Sequence, residues 1–318
     1  MLSAPAETIA NIAGRQGSAG RPALFDRPNW SVDSPAGRLF SAASAADEPA
    51  LRRACLRTAQ ERAGLFSPAL ALLPEREQER AALLLALADV LFATARGPGS
   101  AESRIEDLDR IAFAIARALR TEGCGAEGES FARRFGAESR RRGFTRRALD
   151  ELFDAARVGA RRRRPETGEE LAIRAQSLAE VFTTALFGVE PTAAVVDLGA
   201  GLLRLLALQG LATDLRALHC ALPESDLAEP VQYRTPDEIG AAVMRECAEL
   251  RKLLLKGARA AGEVPLSFRR PVAFMLPVAL SLLGRLEERP PELARRIPTV
   301  GKWTLRRAFW RARFTPLG

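Results

Sequence analysis

The amino-acid sequence predicts an all-α fold organised as a single domain. Alanine, leucine and arginine are abundant and β-branched residues are sparse, a composition that suits helices better than a large sheet. Apolar residues recur at helical spacing along most of the chain. A chain of 318 residues, 47% of them hydrophobic, can bury one large core or two modest ones. The continuous helical pattern favours one core.

The chain is predicted to begin with a lead-in and to continue as a helical domain. Residues 1–46 are rich in Ala, Gly, Ser and Pro and show no sustained period, which predicts irregular structure. The helical domain then covers residues 47–318, and its first helix is predicted over 47–63. A second helix is expected after Pro74, because Pro followed by acidic residues is a typical helix start, and its apolar run reaches Phe92.

Later helices are marked by caps and by helix breakers. Thr167 and Thr235 are each followed three residues later by Glu, which is the spacing of a capping box, so each is expected to begin a helix. Pro277 interrupts the most apolar stretch and should kink the helix that contains it. Apart from a central segment, the remaining helices are predicted over 105–120, 144–158, 167–187, 235–260, 268–288 and 301–314.

The central segment covers residues 198–223 and is apolar on nearly every helical face until its last turns. Such a pattern predicts a buried helix surrounded by others. Its polar residues must find partners there, so either they line a cavity or the helix leaves the core near Asp214. The pattern leaves both interpretations open. The polar residues are Gln209, Asp214, Arg216 and His219.

The chain is strongly basic, with a formal charge of +8 and a pI near 10.2. Arginine supplies all but three of its 47 basic residues, which indicates a chain-wide preference, so the net charge says little about partners. An Arg-rich RNA-binding protein would show a steep salt dependence of its RNA affinity and is the least favoured class. We expect no nucleic-acid partner.

Cysteine usage and the N-terminus predict a cytoplasmic protein. The four cysteines lie far apart and show no Cys-x-x-Cys spacing, and the chain has one histidine, so neither disulfides nor a zinc site is expected. The N-terminus lacks the basic start and apolar core of a secretory signal. No apolar run reaches about 18 uninterrupted residues, so no membrane-spanning helix is predicted.

Residues 201–223 resemble the second signature helix of the squalene/phytoene synthase family. In that family a segment Ala-Leu-Gln-Leu-Thr-Asn-Ile-Leu-Arg-Asp leads through a charged loop to Tyr-Leu-Pro. Three short matches carry the resemblance, namely Ala207-Leu208-Gln209, Leu215-Arg216 and Leu222-Pro223. The loop is shortened and the family's acidic residues are missing, with Ala217 where the first would fall.

An earlier segment resembles the first signature of the same family. The match to its Phe-x-x-Ala-x-x-Leu-Leu-Pro pattern consists of Phe66, Ala69, Leu72, Leu73 and Pro74. The family's Asp-x-x-x-Asp motif does not follow: residues 92–96 occupy its place, and Asp89 is the only carboxylate nearby. The basic, aromatic C-terminus also resembles the last helix of the family.

The resemblance implies an isoprenoid-synthase-like helical bundle around a central cavity and a role in isoprenoid or carotenoid-type lipid metabolism. Family members hold Mg²⁺ on paired aspartates from two helices and join two prenyl diphosphates head to head. Because neither signature keeps its pair, that transferase activity is expected to be weakened or lost, and Mg²⁺ is expected only if a metal site survives. The candidate catalytic residues are Asp89, Gln209 and Arg216, and the candidate substrate-binding residues are Arg216, Gln209 and Asp214.

A non-catalytic, membrane-associated assembly or interaction protein of the same fold is the alternative. Simpler interpretations also stand beside individual residues. Asp214 and Arg216 are two apart and cannot form one paired metal site. Arg216 could hold a phosphate by a bidentate contact, but a buried or rim salt bridge is the favoured interpretation. The basic run 161–164 could grip phosphates, but short charge runs are more often solvated loops.

The segment 301–314 combines aromatic and basic residues, as a helix on an anionic lipid surface does. We therefore expect peripheral contact with the inner membrane face. The alternative is an amphipathic helix packed on the protein's own core with an Arg-rich outer face. The aromatic residues are Trp303, Phe309, Trp310 and Phe314, and the basic ones are Lys302, Arg306, Arg307, Arg311 and Arg313.

Overall fold

The computed structural model describes residues 48–97, 99–120, 139–140, 143–161, 164–211, 222–226, 235–290 and 298–315. Every regular element within these ranges is a helix, which confirms the predicted all-α class. The predicted lead-in, 1–46, lies outside the described residues, so the boundary at residue 47 stays a prediction.

The α-helices are named α1 to α10 in chain order. They are α1 Glu48–Ala63, α2 Ser67–Leu70, α3 Glu75–Arg96, α4 Ala101–Arg120, α5 Arg146–Arg161, α6 Gly168–Phe187, α7 Ala193–Gln209, α8 Pro236–Gly257, α9 Leu266–Glu288 and α10 Lys302–Arg313. Short 3₁₀ turns lie at Gly64–Phe66, Glu224–Asp226 and Ala258–Gly262.

The predicted helix starts rest on local hydrogen bonds. At α8, the Thr235 side chain accepts from the Glu238 backbone and the Glu238 carboxylate accepts from the Thr235 backbone, a complete capping box. At α6, Thr167 accepts from the Glu170 backbone as predicted, whereas the Glu170 carboxylate accepts from the backbone of Glu166, one residue before the cap. Both threonines therefore end the preceding loop and begin a helix.

Two helices begin earlier than their apolar patterns predicted. Helix α4 begins at Ala101 because Ser100 caps it: the Ser103 backbone N–H donates to Ser100 Oγ at 3.2 Å. The central helix α7 begins at Ala193 and ends at Gln209. Its predicted continuation towards residue 223 lies mostly in 212–221, outside the described residues.

Buried side chains separate into two main clusters rather than the single core predicted. The first cluster joins α1, α3, α4 and α5, and the second joins α7, α8, α9 and α10. Helix α2 contributes Leu70 to the first cluster and Ala69 to the second. Helix α6 contributes Val181 and Ala185 to the first cluster, and its partly buried Phe187 packs on the second. Leu73 and Leu186 contact both clusters, so these two residues connect them. Helical patterning alone could not show this division, because it does not say which helices pack together.

Helix α9 is long and apolar enough to cross a membrane by length and composition, with a mean hydropathy of 1.4 over its best window. Its longest uncharged run, 271–284, is shorter than the roughly 18 residues of a membrane span, because Arg270 and Arg285 bound it. Buried residues make up 44% of that window, and α9 packs against α2, α8 and α10. The core helix of a folded domain can have the same length and hydropathy, and the packing of α9 is that of a core helix. Pro271 and Pro277 lie within it, and the kink at Pro277 stays a prediction.

Candidate functional site

Asp89, the carboxylate nearest the first signature, is held by an arginine of α1. Its side chain is 7% exposed on α3, and Arg62 Nε lies 2.5 Å from its Oδ1. Burial raises the pKa of Asp89, and the Arg62 charge opposes that rise. Oδ2 is buried without a hydrogen-bond partner among the described residues. Asp89 is thus paired with Arg62 through Oδ1, and its candidate catalytic role stays a prediction.

The residues that stand where the family has paired aspartates carry no carboxylate. Thr94 is buried, and its hydroxyl donates to the Val90 carbonyl of the same helix at 2.9 Å. Ala95 is buried as well, and Arg96 is exposed at the end of α3. This part of α3 packs against its neighbours and offers no carboxylate ligand for a cation.

Gln209 ends α7 and lies against two other parts of the chain. Its Nε2 donates to the Pro298 carbonyl over 3.5 Å, the limit for such a bond. A Cβ built on Gly64, which has a positive φ of 52°, would lie 3.6 Å from Gln209 Oε1. Because Arg62 and Gly64 are two residues apart, the end of α1 contacts both signature helices. Asp89 and Gln209 therefore both lie near the junction of α1 and the 3₁₀ turn that follows it.

An arginine inside the central helix forms a buried ion pair that the sequence analysis did not identify. Arg204 Nε donates to Glu246 Oε1 at 2.7 Å, and Arg204 Nη2 donates to Glu246 Oε2 at 2.6 Å. Both side chains are 6% exposed. A signal was present, because a lone Arg in a helix that is apolar all round requires an acidic partner. On α8, Glu246 shares the buried face with Val243 and Leu250.

The second signature ends in a segment that Arg164 holds in place. Arg164 Nε donates to the Leu222 carbonyl at 2.9 Å and its Nη2 to the Pro223 carbonyl at 3.0 Å. The Glu224 backbone also donates to the Pro165 carbonyl at 2.9 Å. The prediction of a solvated basic run is therefore wrong at Arg164, because its guanidinium satisfies backbone carbonyls.

The remaining site candidates, Asp214 and Arg216, lie outside the described residues, as does His219. Within the part of the chain that is described, no three His, Cys, Asp or Glu side chains come together as a metal site. Mg²⁺ requires several oxygen ligands in near-octahedral geometry. The described residues at the first signature do not fit that ion, because their one carboxylate is paired with Arg62.

A pocket of about 370 Å³ opens where α6 ends and where α7 and α9 begin. Phe187, Val195 and Leu266 supply apolar walls, and Glu263 and Arg269 supply charge. Neither Asp89 nor Gln209 lines it. The central cavity expected between the signature helices thus stays a prediction.

Residues 61–307 match the squalene/phytoene synthase family, and the chain belongs to that family. No curated protein matches the sequence. Among solved structures, a dehydrosqualene synthase bound to a ligand is similar, with 10% identity and a TM-score of 0.65, and the match covers 88% of this chain and 98% of that one.

Two further structures are similar at comparable levels. Squalene synthase HpnC from Alicyclobacillus acidocaldarius shares 16% identity with a TM-score of 0.58, covering 80% of this chain and 98% of that one. The complex of TcSQS with the ligand E5700 shares 13% identity with a TM-score of 0.60, covering 81% and 86%. At these identities the likeness shows the fold, which is the all-α isoprenoid synthase fold.

Proposed function

We propose that this protein is a diverged squalene/phytoene-synthase-like protein of isoprenoid or carotenoid-type lipid metabolism. In this proposal it binds a prenyl diphosphate or prenyl lipid, and its Mg²⁺-dependent head-to-head prenyl transfer is weakened or lost. Any remaining activity would be that of a prenyltransferase that condenses two prenyl diphosphates. Family membership supports the ligand class, and the state of the first signature supports the loss.

The observation that carries this proposal is the ion pair between Arg62 and Asp89. A single buried carboxylate that already pairs with an arginine through one oxygen cannot supply the several oxygen ligands that Mg²⁺ requires. No other carboxylate of α3 lies beyond Glu79. Ionisation of a prenyl diphosphate needs its leaving charge to be neutralised, so the chemical step would suffer more than binding.

Gln209, Asp214 and Arg216 are the residues we propose to contact the ligand, Arg216 through a bidentate contact to a phosphate. Asp89 is the residue we would test for residual catalysis. We further propose that the protein is cytoplasmic and peripheral at the inner membrane face. The geometry of α10 supports that location.

Calorimetric titration of the full chain with farnesyl and geranylgeranyl diphosphate, with and without Mg²⁺, tests the proposal. We expect binding in the absence of Mg²⁺ and little diphosphate release in its presence. Arg216→Gln should weaken binding, whereas the matched control Arg147→Gln, an exposed arginine of α5, should not. Strong Mg²⁺ dependence with fast turnover would contradict the proposed loss of catalysis.

Failure to bind either diphosphate would reject the prenyl-ligand proposal. The alternative, a membrane-associated assembly or interaction protein of the same fold, would then be favoured, because it needs the helical scaffold but no metal site. A search for a protein partner would follow. The ion pairs of Asp89 with Arg62 and of Glu246 with Arg204 are compatible with such a scaffold.

A further inference from the structure

Helix α10 has one face buried on the protein and one face that is free. Ala308 and Ala312 are buried, and the ring of Phe309 meets that of Phe274 on α9 edge to face, with centroids 6.3 Å apart. This face anchors α10 to the second cluster. The amphipathic alternative raised by the sequence is thus correct for the inner face and leaves the outer face to be explained.

The outer face of α10 is a stripe of large aromatic side chains. Trp303 is 81% exposed, Trp310 53% and Phe314 72%. Their spacings of seven and four residues place them in one row along the helix. The rings of Trp310 and Phe314 stack with centroids 5.8 Å apart and planes 12° apart. Large aromatic rings that protrude together from a surface mark an interaction site.

Positive charge flanks the aromatic stripe on both sides. Helical geometry places Arg307 and Arg311 along one side and Lys302, Arg306 and Arg313 along the other. The Arg306 guanidinium lies 5.9 Å from the Trp303 ring centroid, and that of Arg313 lies 5.9 Å from the Trp310 centroid. None of the five cations forms a salt bridge with an acidic side chain of the described residues, and the sequence holds no acidic residue after Glu292.

We propose that the outer face of α10 binds an anionic lipid bilayer surface. The helix would lie in the membrane plane, with the aromatic rings at the boundary between headgroups and acyl chains. The arginines and Lys302 on either side would reach up to lipid phosphates, as long basic side chains do at interfaces. The stripe and its flanking charge match the two contributions, apolar burial and electrostatic attraction, that peripheral binding requires.

A bilayer fits this surface better than RNA does. Proteins that bind single-stranded nucleic acid without sequence preference combine stacking aromatics with a positively charged groove that follows the strand. Here the rings protrude from the outward face of one helix and form a ridge instead of a groove. A ridge can contact a planar bilayer surface, but it cannot enclose a strand. The inference is independent of prenyl binding, because it involves neither signature helix.

Co-sedimentation of the full chain with vesicles tests the proposal. Vesicles with about one-third phosphatidylglycerol in phosphatidylcholine, free of prenyl lipids, should bind at least about tenfold more protein than pure phosphatidylcholine. Tryptophan fluorescence should shift to the blue as Trp303 and Trp310 enter the interface. Equal binding to both vesicle types, or no binding to either, would overturn the proposal.

Matched variants separate this surface from general charge attraction. Trp303→Ser with Trp310→Ser and Phe314→Ser should lower vesicle binding, whereas the control Phe113→Ser, on the exposed face of α4, should not. Arg306→Glu with Arg307→Glu should also release the protein from the vesicles. The control for net charge is Arg146→Glu with Arg147→Glu on α5, two arginines that are 63% and 80% exposed.

A folding check and a competitor complete the test. All variants should keep the far-UV circular dichroism and the unfolding midpoint of the parent chain, because the substituted side chains lie outside the clusters. If the control variants lost vesicle binding as fully as the α10 variants, the binding would be general electrostatics and the proposal would fail. The proposal would also fail if a single-stranded RNA oligonucleotide bound the stripe while vesicles did not.

Discussion

Arg204 of α7 and Glu246 of α8 face each other in the interior and share two hydrogen bonds, at 2.7 and 2.6 Å. The parallel arrangement of the guanidinium and the carboxylate gives this pair a defined geometry in addition to charge neutralisation. Taking both ions out of water costs nearly as much as their attraction returns. The pair therefore fixes how α7 and α8 are aligned more than it adds to net stability.

Removing one partner of this pair leaves a buried, uncompensated charge. We expect Glu246→Ala or Arg204→Ala to lower the free energy of unfolding by about 3–5 kcal/mol. The double variant Arg204→Met with Glu246→Leu should recover most of that loss, because no charge remains buried. Urea unfolding measures each value. A loss in the double variant as large as in the single ones would show that the pair itself supplies the stability.

The sequence predicted helix boundaries well where the signal is local. The caps at Thr167 and Thr235 involve residues three apart, so their hydrogen bonds could be predicted without any tertiary information. Ser100 acts over the same distance, yet its role was missed, because the apolar period that was followed begins only at Ile105. Local chemistry thus defines most of the helices, and the all-α class follows from them.

The partners of the site residues could not be predicted, because they depend on which helices pack together. Arg62 and Asp89 are 27 positions apart, and nothing in either segment indicates that α1 covers α3 at that point. Arg164 looked like one residue in a solvated run, although it holds carbonyls 58 and 59 positions away. The family resemblance located the signature helices, but it did not show which side chains from other parts of the chain contact them.

The pKa of Asp89 predicts a pH-dependent stability difference. Burial raises its pKa above the ordinary value of 3.8, so the stability it contributes is present below 3.8 and is lost as the pH rises through the folded-state pKa. Asp89→Asn keeps the shape without that titration. We expect the variant to gain stability relative to the parent chain across this interval.

Denaturant unfolding of the parent chain and of Asp89→Asn at several pH values measures this effect. The difference between their free energies of unfolding isolates Asp89, because the other carboxylates contribute equally to both proteins. A difference of the opposite sign would mean that the attraction of Arg62 outweighs the burial of Asp89. Arg62→Ala supplies a second check, since loss of its charge should raise the pKa of Asp89 further and widen the interval.

Arg164 is expected to stabilise the end of the second signature. Arg164→Ala removes two charge-assisted hydrogen bonds to the Leu222 and Pro223 carbonyls, and we expect a loss of about 1–3 kcal/mol in the free energy of unfolding. The loss of stability in Arg164→Lys should be smaller than in Arg164→Ala but not zero, because an ammonium lacks the planar fork that donates to both carbonyls. Arg161→Ala, three residues earlier and exposed, is the matched control. Equal losses at both arginines would contradict the assigned contact.

The close approach of α7 and α8 depends on the absence of a side chain at Gly257. A Cβ at this position would lie 2.6 Å from the Cβ and 2.8 Å from the Cα of Leu198. Because a backbone atom is involved, a rotamer change cannot relieve the clash, and Gly257→Ala should destabilise the fold by about 1–3 kcal/mol. Gly284→Ala, inside α9, meets nothing within 4 Å and should stabilise by about 0.5–1 kcal/mol through helix propensity. Thermal and urea unfolding of the two variants should therefore shift in opposite directions. A Gly257→Ala variant as stable as the parent chain would show that the two helices can separate at Leu198 without cost.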